Sequence, residues 1–205
     1  MMLQSINRVV RILILSDFFL MAAWGLITPV LAIFVLDKIQ GGDASVAGFA
    51  VGIYWFLKAI IQIPIGKYLD KTKGEKDDYY FVIFGMAITS LVPLAFIFVH
   101  LPWHIYFVQA VHAIGMAMVI PAWGGIFTRH IDKGKEAFTW GTESSSLSFG
   151  TGIAAFIGGV VVKLYGFLPL FIGMSVLGII ATLLLFLIAK DLIPKEKVLH
   201  VPKPH

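Results

Sequence analysis

A chain of 205 residues that is 59% hydrophobic and only 14% charged, with a mean hydropathy of +0.89, does not have the make-up of a soluble domain, where about a quarter of residues are charged. The net charge of +4 is scattered among loops between apolar runs, which removes nucleic acid as a partner. With no cysteine, a disulfide framework and a thiolate metal site are excluded too.

Six apolar runs reach the length of about 20 residues that a hydrocarbon core of about 30 Å requires. They cover 12–36, 46–65, 81–99, 103–127, 138–162 and 168–189. A soluble fold would need six helices apolar on every face in a domain too small to bury them. The chain therefore reads as an all-α integral membrane protein, a single six-helix bundle with 190–205 as a tail. Arg8 and Arg11 precede the first run, which is too long for a signal peptide and has no cleavage-like break after it.

In chain order, the first run holds Asp17, Trp24 and Pro29, and the second holds Trp55, Lys58 and Gln62. Between the second and third lies IGKYLDKTKGEKDDY (65–79), with eight charged side chains in fifteen residues. The third run is almost wholly apolar, with Thr89 and Ser90. The fourth carries His104, Gln109, His112 and Pro121; the fifth carries Glu143, Ser144, Ser145 and Ser146; the sixth is again apolar apart from Ser175 and Thr182. All five tryptophans, Trp24, Trp55, Trp103, Trp123 and Trp140, are on runs one, two, four and five. An ionisable group at bilayer depth costs at least ~2.5 kcal/mol and is turned towards a partner or water. Runs one, two, four and five are thus set apart from three and six, as in a three-plus-three repeat. Pro29 and Pro121, each in the last third of the first helix of its triplet, are placed as an inverted repeat requires. The histidines form no ligand-type cluster, and no phosphate loop or nucleophile elbow is present, so neither a cofactor nor an enzyme activity is expected.

Sorting the 16 Lys and Arg by loop puts thirteen on one side: Arg8, Arg11, Lys67, Lys71, Lys73, Lys76, Arg129, Lys133, Lys135, Lys190, Lys195, Lys197 and Lys203. The other side has Lys38 and Lys163, and Lys58 lies within a span. By the positive-inside rule both termini and the 65–79 loop face the cytoplasm, in a cell inner membrane.

These features resemble one half, the N-terminal half, of a major facilitator superfamily transporter. The loop carries the resemblance best: Gly66, Asp70, Lys71, Lys73, Gly74 and Lys76 are similar to the family's Gly-x-x-x-Asp-basic-x-Gly pattern, with one extra residue before Gly74 and Glu75 where a cation is usual. Gly25 and Pro29-Val30 resemble its Pro-Val element on span one. On span four, Gln109 stands in place of the family's arginine and Ala113 in place of its first glycine. Gly150, Gly158 and Gly159 match its antiporter element on span five, where Ala154 and Ala155 replace the central Gly-Pro. Members normally have twelve spans in two parallel repeats. The resemblance therefore implies a half-transporter that acts by alternating access as a parallel homodimer, with spans one and four lining a cavity, two and five forming the dimer contact, and three and six facing lipid. A non-transporting membrane protein, or a half-transporter assembled with a different six-span partner, is the alternative.

Trp24, Trp55, Gln109 and His112 are the candidate contacts for a small organic solute; Gln109 and His112 are three residues apart and share a helix face. Lys58, too deep to snorkel easily, needs a buried partner, and Asp17 and Glu143 are the candidates, for a structural ion pair or for proton coupling. Gly66, Asp70, Lys71 and Gly74 are the candidate cytosolic gate, with Asp70 near the N-terminus of the partner's span five, where the helix dipole favours an anion. A solvated turn that serves topology alone is the other reading of that loop.

Overall fold

The computed structural model describes residues 6–193, and every regular element in it is helical. In chain order these are α1 (Arg8–Ile27), α2 (Leu31–Lys38), α3 (Ala44–Leu69), α4 (Lys76–Ala95), α5 (Pro102–His130), α6 (Glu136–Tyr165), α7 (Phe167–Leu185) and α8 (Ala189–Leu192), with 3-10 turns at Phe96–Phe98 and Phe186–Ile188. Six segments are long and apolar enough to cross a membrane: α1, α3, α4 with its 3-10 turn, α5, α6, and α7 continued to Leu192. The face on which α1 begins is called here the near face. Most of the expected tail, with Lys195, Lys197 and Lys203, lies outside the described residues.

The first expected span is not one continuous helix. It divides into α1 and α2 at Thr28-Pro29-Val30. Pro29 has no N–H to give to the carbonyl four residues back, and its ring crowds that carbonyl. The Thr28 hydroxyl donates instead to the Trp24 carbonyl at 3.0 Å, and the Val30 N–H donates to the Ile27 carbonyl at 2.9 Å. Pro121, its counterpart by position, stays inside the unbroken α5. At the other extreme, α6 passes into α7 through Gly166 alone, whose φ of +80° is in the left-handed region that favours glycine.

α1 packs against α6 and α7, α5 packs against α3 and α4, and α4 packs against α7. Exchanging the first three spans with the last three leaves that pairing scheme unchanged, which is the packing signature of an inverted repeat. The third and sixth spans, expected to face lipid, do so on one side only. Their polar residues Thr89, Ser90, Ser175 and Thr182 are all buried, and the Ser90 and Thr182 hydroxyls lie 3.2 Å apart. The Ser16 hydroxyl reaches the Ala181 carbonyl at 2.7 Å and joins α1 to the same seam. The Ser90 and Thr182 hydroxyls also donate to the Met86 and Gly178 carbonyls of their own helices, and buried small polar residues of this kind mark a helix contact surface in a membrane. The least buried spans are the second and fifth. α3 buries only Val46, Ala50 and Leu69, and α6 only Thr139, Glu143, Gly150, Ala154 and Gly158.

On the near face, Arg129 at the end of α5 donates to Glu75 at 2.7 Å and to Asp78 at 2.6 Å. The Asp78 side chain is only 3% exposed. Arg8 holds Asp191 and the Leu187 carbonyl, closing α1 onto the end of α7 and α8. On the far face, the exposed Asp43 caps α3 through Ser45 and the Val46 N–H, and the Ser45 hydroxyl and that N–H hold its carboxyl below the usual range.

Small residues set the helix separations. A Cβ at Gly25 would lie 3.0 Å from Thr151 Cα, and one at Gly158 would run into the Leu26 carbonyl oxygen, whereas Gly159 faces open space. Gly158→Ala is therefore expected to destabilise the fold by about 1–3 kcal/mol, because backbone rather than a movable side chain blocks the new methyl. Gly159→Ala should leave the melting temperature in detergent unchanged. Equal melting of the two variants would contradict the close α1–α6 contact.

Candidate functional site

A cavity of about 680 Å³ is lined by residues of α1, α3, α5 and α6, among others. Asp17, Trp24, Trp55, Lys58, Gln109, His112 and Glu143 all line it. At 1.5 Å per residue, Asp17 lies about 14 Å along α1 from Arg8, Lys58 about 16 Å along α3 from Leu69, and His112 about 15 Å along α5 from Pro102. These groups are therefore near the middle of their spans. Glu143, about 10 Å along α6, is nearer the near face.

The two walls differ in charge. Asp17 and Glu143 are on the packed pair α1 and α6, and Lys58 and His112 are on the packed pair α3 and α5. Among the described residues neither carboxylate makes an ion pair with Lys58. The Lys58 ammonium lies instead over the Trp55 ring, 3.8 Å from its centroid, and 5.1 Å from that of Tyr54. Those rings are three and four residues back along α3, where an i, i+3 or i, i+4 pair meets on one helix face. A cation over an aromatic face gains about 0.5–2 kcal/mol, which offsets part of the cost of its depth.

His112 is held flat between two rings. Trp24 stacks on one side with centroids 3.5 Å apart and planes 6° from parallel, and Tyr54 stacks at 4.5 Å and 24°. With both faces covered, only the edge bearing the nitrogens is left for a polar contact. Among the described residues neither nitrogen has a hydrogen-bond partner, and His112 is 6% exposed. The Gln109 Oε1, in a residue 4% exposed, is also unpartnered. An unsatisfied buried polar group costs about 1–3 kcal/mol, so two of them on one cavity wall form a surface poised for a polar ligand or water.

Three aromatic residues of the wall were missed in the sequence. Tyr54 lies one turn from Lys58, Trp140 three residues before Glu143, and Trp123 forms with Phe127 and Trp140 a ring cluster whose Trp123–Phe127 centroids are 4.5 Å apart. The spacing from the charged residues was the available signal. Arg129 with Glu75 and Asp78 was missed as well; the sequence shows the charges but not that the end of α5 meets the start of α4.

Gly66, Asp70, Lys71 and Gly74 are not part of the cavity. Gly66 lies in the last turn of α3, and Asp70, Lys71 and Gly74 belong to the turn from α3 to α4, where Asp70 is the exposed C-cap of α3 and Gly74 has φ +94°. Gly66 sits by Pro121 of α5; a Cβ there would be 3.6 Å from the proline's.

A six-helix membrane unit with a polar, aromatic-walled cavity between its first, second, fourth and fifth spans is the architecture of a solute transporter half. The Major Facilitator Superfamily profile matches residues 13–204, and the chain belongs to that family, a transporter family and not an enzyme family; it is an integral membrane protein. It is 26% identical over 197 residues to an uncharacterized MFS-type transporter of Methanocaldococcus jannaschii, an alignment covering 95% of this chain and 50% of that protein. The chain thus spans about half the length of the curated relative it matches. In fold it is similar to the crystal structure of the POT family transporter PepTSo, with a TM-score of 0.67 and 18% identity over 91% of this chain and 38% of that one.

Two substitutions separate the roles of the half-buried Lys58 and the exposed Arg129. Lys58→Met should keep or raise the melting temperature in detergent, because it removes a costly charge whose contacts are ring faces on its own helix. Arg129→Ala should destabilise by about 1–3 kcal/mol, since it leaves the buried Asp78 carboxylate without its cation. A large loss of stability in Lys58→Met would show that the lysine has a structural ionic partner after all.

Proposed function

We propose that this chain is one half of a transporter that moves a small organic solute by alternating access, and that a second copy of it, packed in parallel, supplies the opposite wall of the cavity. The observation that carries the reading is the cavity itself, where Asp17, Lys58, His112 and Glu143 line one space at membrane depth. Family membership gives that space a purpose. A two-fold axis along the membrane normal would relate the copies as it relates the halves of longer members. The sparsely buried α3 and α6, with Phe56, Ile60, Phe149 and Phe156 exposed, are the faces available to the second copy.

In this reading the near face is cytosolic, in a cell inner membrane, with both termini inside, on the distribution of the thirteen cations. Gly66, Asp70, Lys71 and Gly74 form the cytosolic gate. The Asp70 side chain is exposed and has no partner among the described residues, which suits docking at the N-terminus of α6 in the second copy. Trp24, Trp55, Gln109 and His112 contact the solute. Asp17 and Glu143, two carboxylates that line one cavity from packed helices, carry the coupling proton, because like charges in a poorly solvated site favour sharing one.

Purified protein in liposomes should accumulate solute when a pH gradient is imposed, and Glu143→Gln should abolish that dependence while leaving assembly intact. Uptake indifferent to the gradient would remove the coupling and leave facilitated diffusion. Asp70→Asn should slow turnover without dissociating the dimer. Native mass measurement should find two copies; strict pairing with a different six-helix unit, or no transport at all, would favour the alternative of an assembly partner.

A further inference from the structure

The arrangement of charge across the cavity limits what can bind there. One wall presents Asp17 and Glu143 from the packed helices α1 and α6, with no cation paired to either among the described residues. The other presents Lys58, which lies over ring faces, beside the His112 nitrogens and the Gln109 Oε1, which are buried and have no partner among the described residues. A simple organic cation would satisfy the carboxylates and leave Lys58 without an anion. A simple anion would satisfy Lys58 and face two carboxylates. A neutral sugar would leave both walls uncompensated.

We propose that the solute is amphoteric and carries an aromatic or flat apolar body: an ammonium that docks between Asp17 and Glu143, and a carboxylate that draws Lys58 from its ring faces and accepts from it and from the edge of His112. The body lies against Trp24 and Trp55. This rests on the transport reading of the same cavity and adds the substrate class to it. His112 is a specificity residue here because its stacking between Trp24 and Tyr54 fixes the ring, so that only its nitrogen edge can meet a ligand. The ammonium and the coupling proton address the same two carboxylates, so solute and proton compete.

Three compounds with one phenyl body isolate the charges: L-phenylalanine has both, phenethylamine only the ammonium, and 3-phenylpropionate only the carboxylate. Calorimetric titration into the full chain in nanodiscs should show phenylalanine binding at least about tenfold more tightly than either single-charge compound, on the scale of one charge-assisted contact. Lys58→Met should close the gap between phenylalanine and phenethylamine, and Lys58→Arg should restore it. Glu143→Gln should close the gap to 3-phenylpropionate. Equal or tighter binding of phenethylamine, an advantage that survives Lys58→Met, or no binding by any of the three overturns the proposal. Because binding is read without transport, selective binding with no uptake in liposomes would sink the transport reading and leave the substrate class standing.

Discussion

Ionisable side chains cost at least ~2.5 kcal/mol at the middle of a bilayer, and that cost organises the fold. Asp17, Lys58, His112 and Glu143 are on four different helices, yet all of them line one cavity. Had any one faced lipid, its span would carry the penalty without recompense. The helices are therefore rotated about their axes by their polar groups as much as by packing, and the apolar residues between those groups are left to face lipid or a second six-helix unit. The same rule places the hydroxyls of Ser90 and Thr182 in the α4–α7 seam.

Close approach of α1 and α6 makes the acidic wall possible. Gly25 and Gly158 let the two backbones come within contact, and Gly150 admits the Phe18 ring, so Asp17 and Glu143 come to line the same cavity. The basic wall is built differently. Lys58 and its two ring partners are on one helix, and α5 contributes the His112 ring that Tyr54 covers. Tyr54 thus touches both polar groups of its wall and couples the orientation of α3 to that of α5. A cavity with one rigid acidic wall and one wall of stacked rings can hold charge apart without collapsing into an ion pair.

Span number, class and the polar split between runs were legible in the sequence because hydropathy over about 20 residues is a strong local signal. The cavity-lining residues were legible for a related reason: an ionisable or amide group inside an apolar run has few places to go. Helix rotation and partners were not legible. Lys58 was expected opposite a carboxylate, but its own helix supplied Tyr54 and Trp55, a local option that a search for opposite charge passes over. The division of the first span at Pro29 and the continuity of α5 through Pro121 could not be told apart from proline positions alone. Nor could the apolar appearance of the third and sixth spans reveal that their hydroxyls face inward, since a serine or threonine that bonds its own helix carbonyl looks the same in sequence.

The central claim, that polar groups from four spans share one space open to solute, can be tested directly because the chain has no cysteine of its own. Single cysteines at Met21, Val51, Ile120 and Leu147, all cavity-lining, would be compared with cysteines at Ile172, Val176 and Leu183 on the exposed outer face of α7, by reaction with a small, charged, water-soluble thiol reagent in proteoliposomes. The account predicts labelling of the first set and silence of the second. Silence at the cavity positions, or equal labelling of both sets, would contradict it.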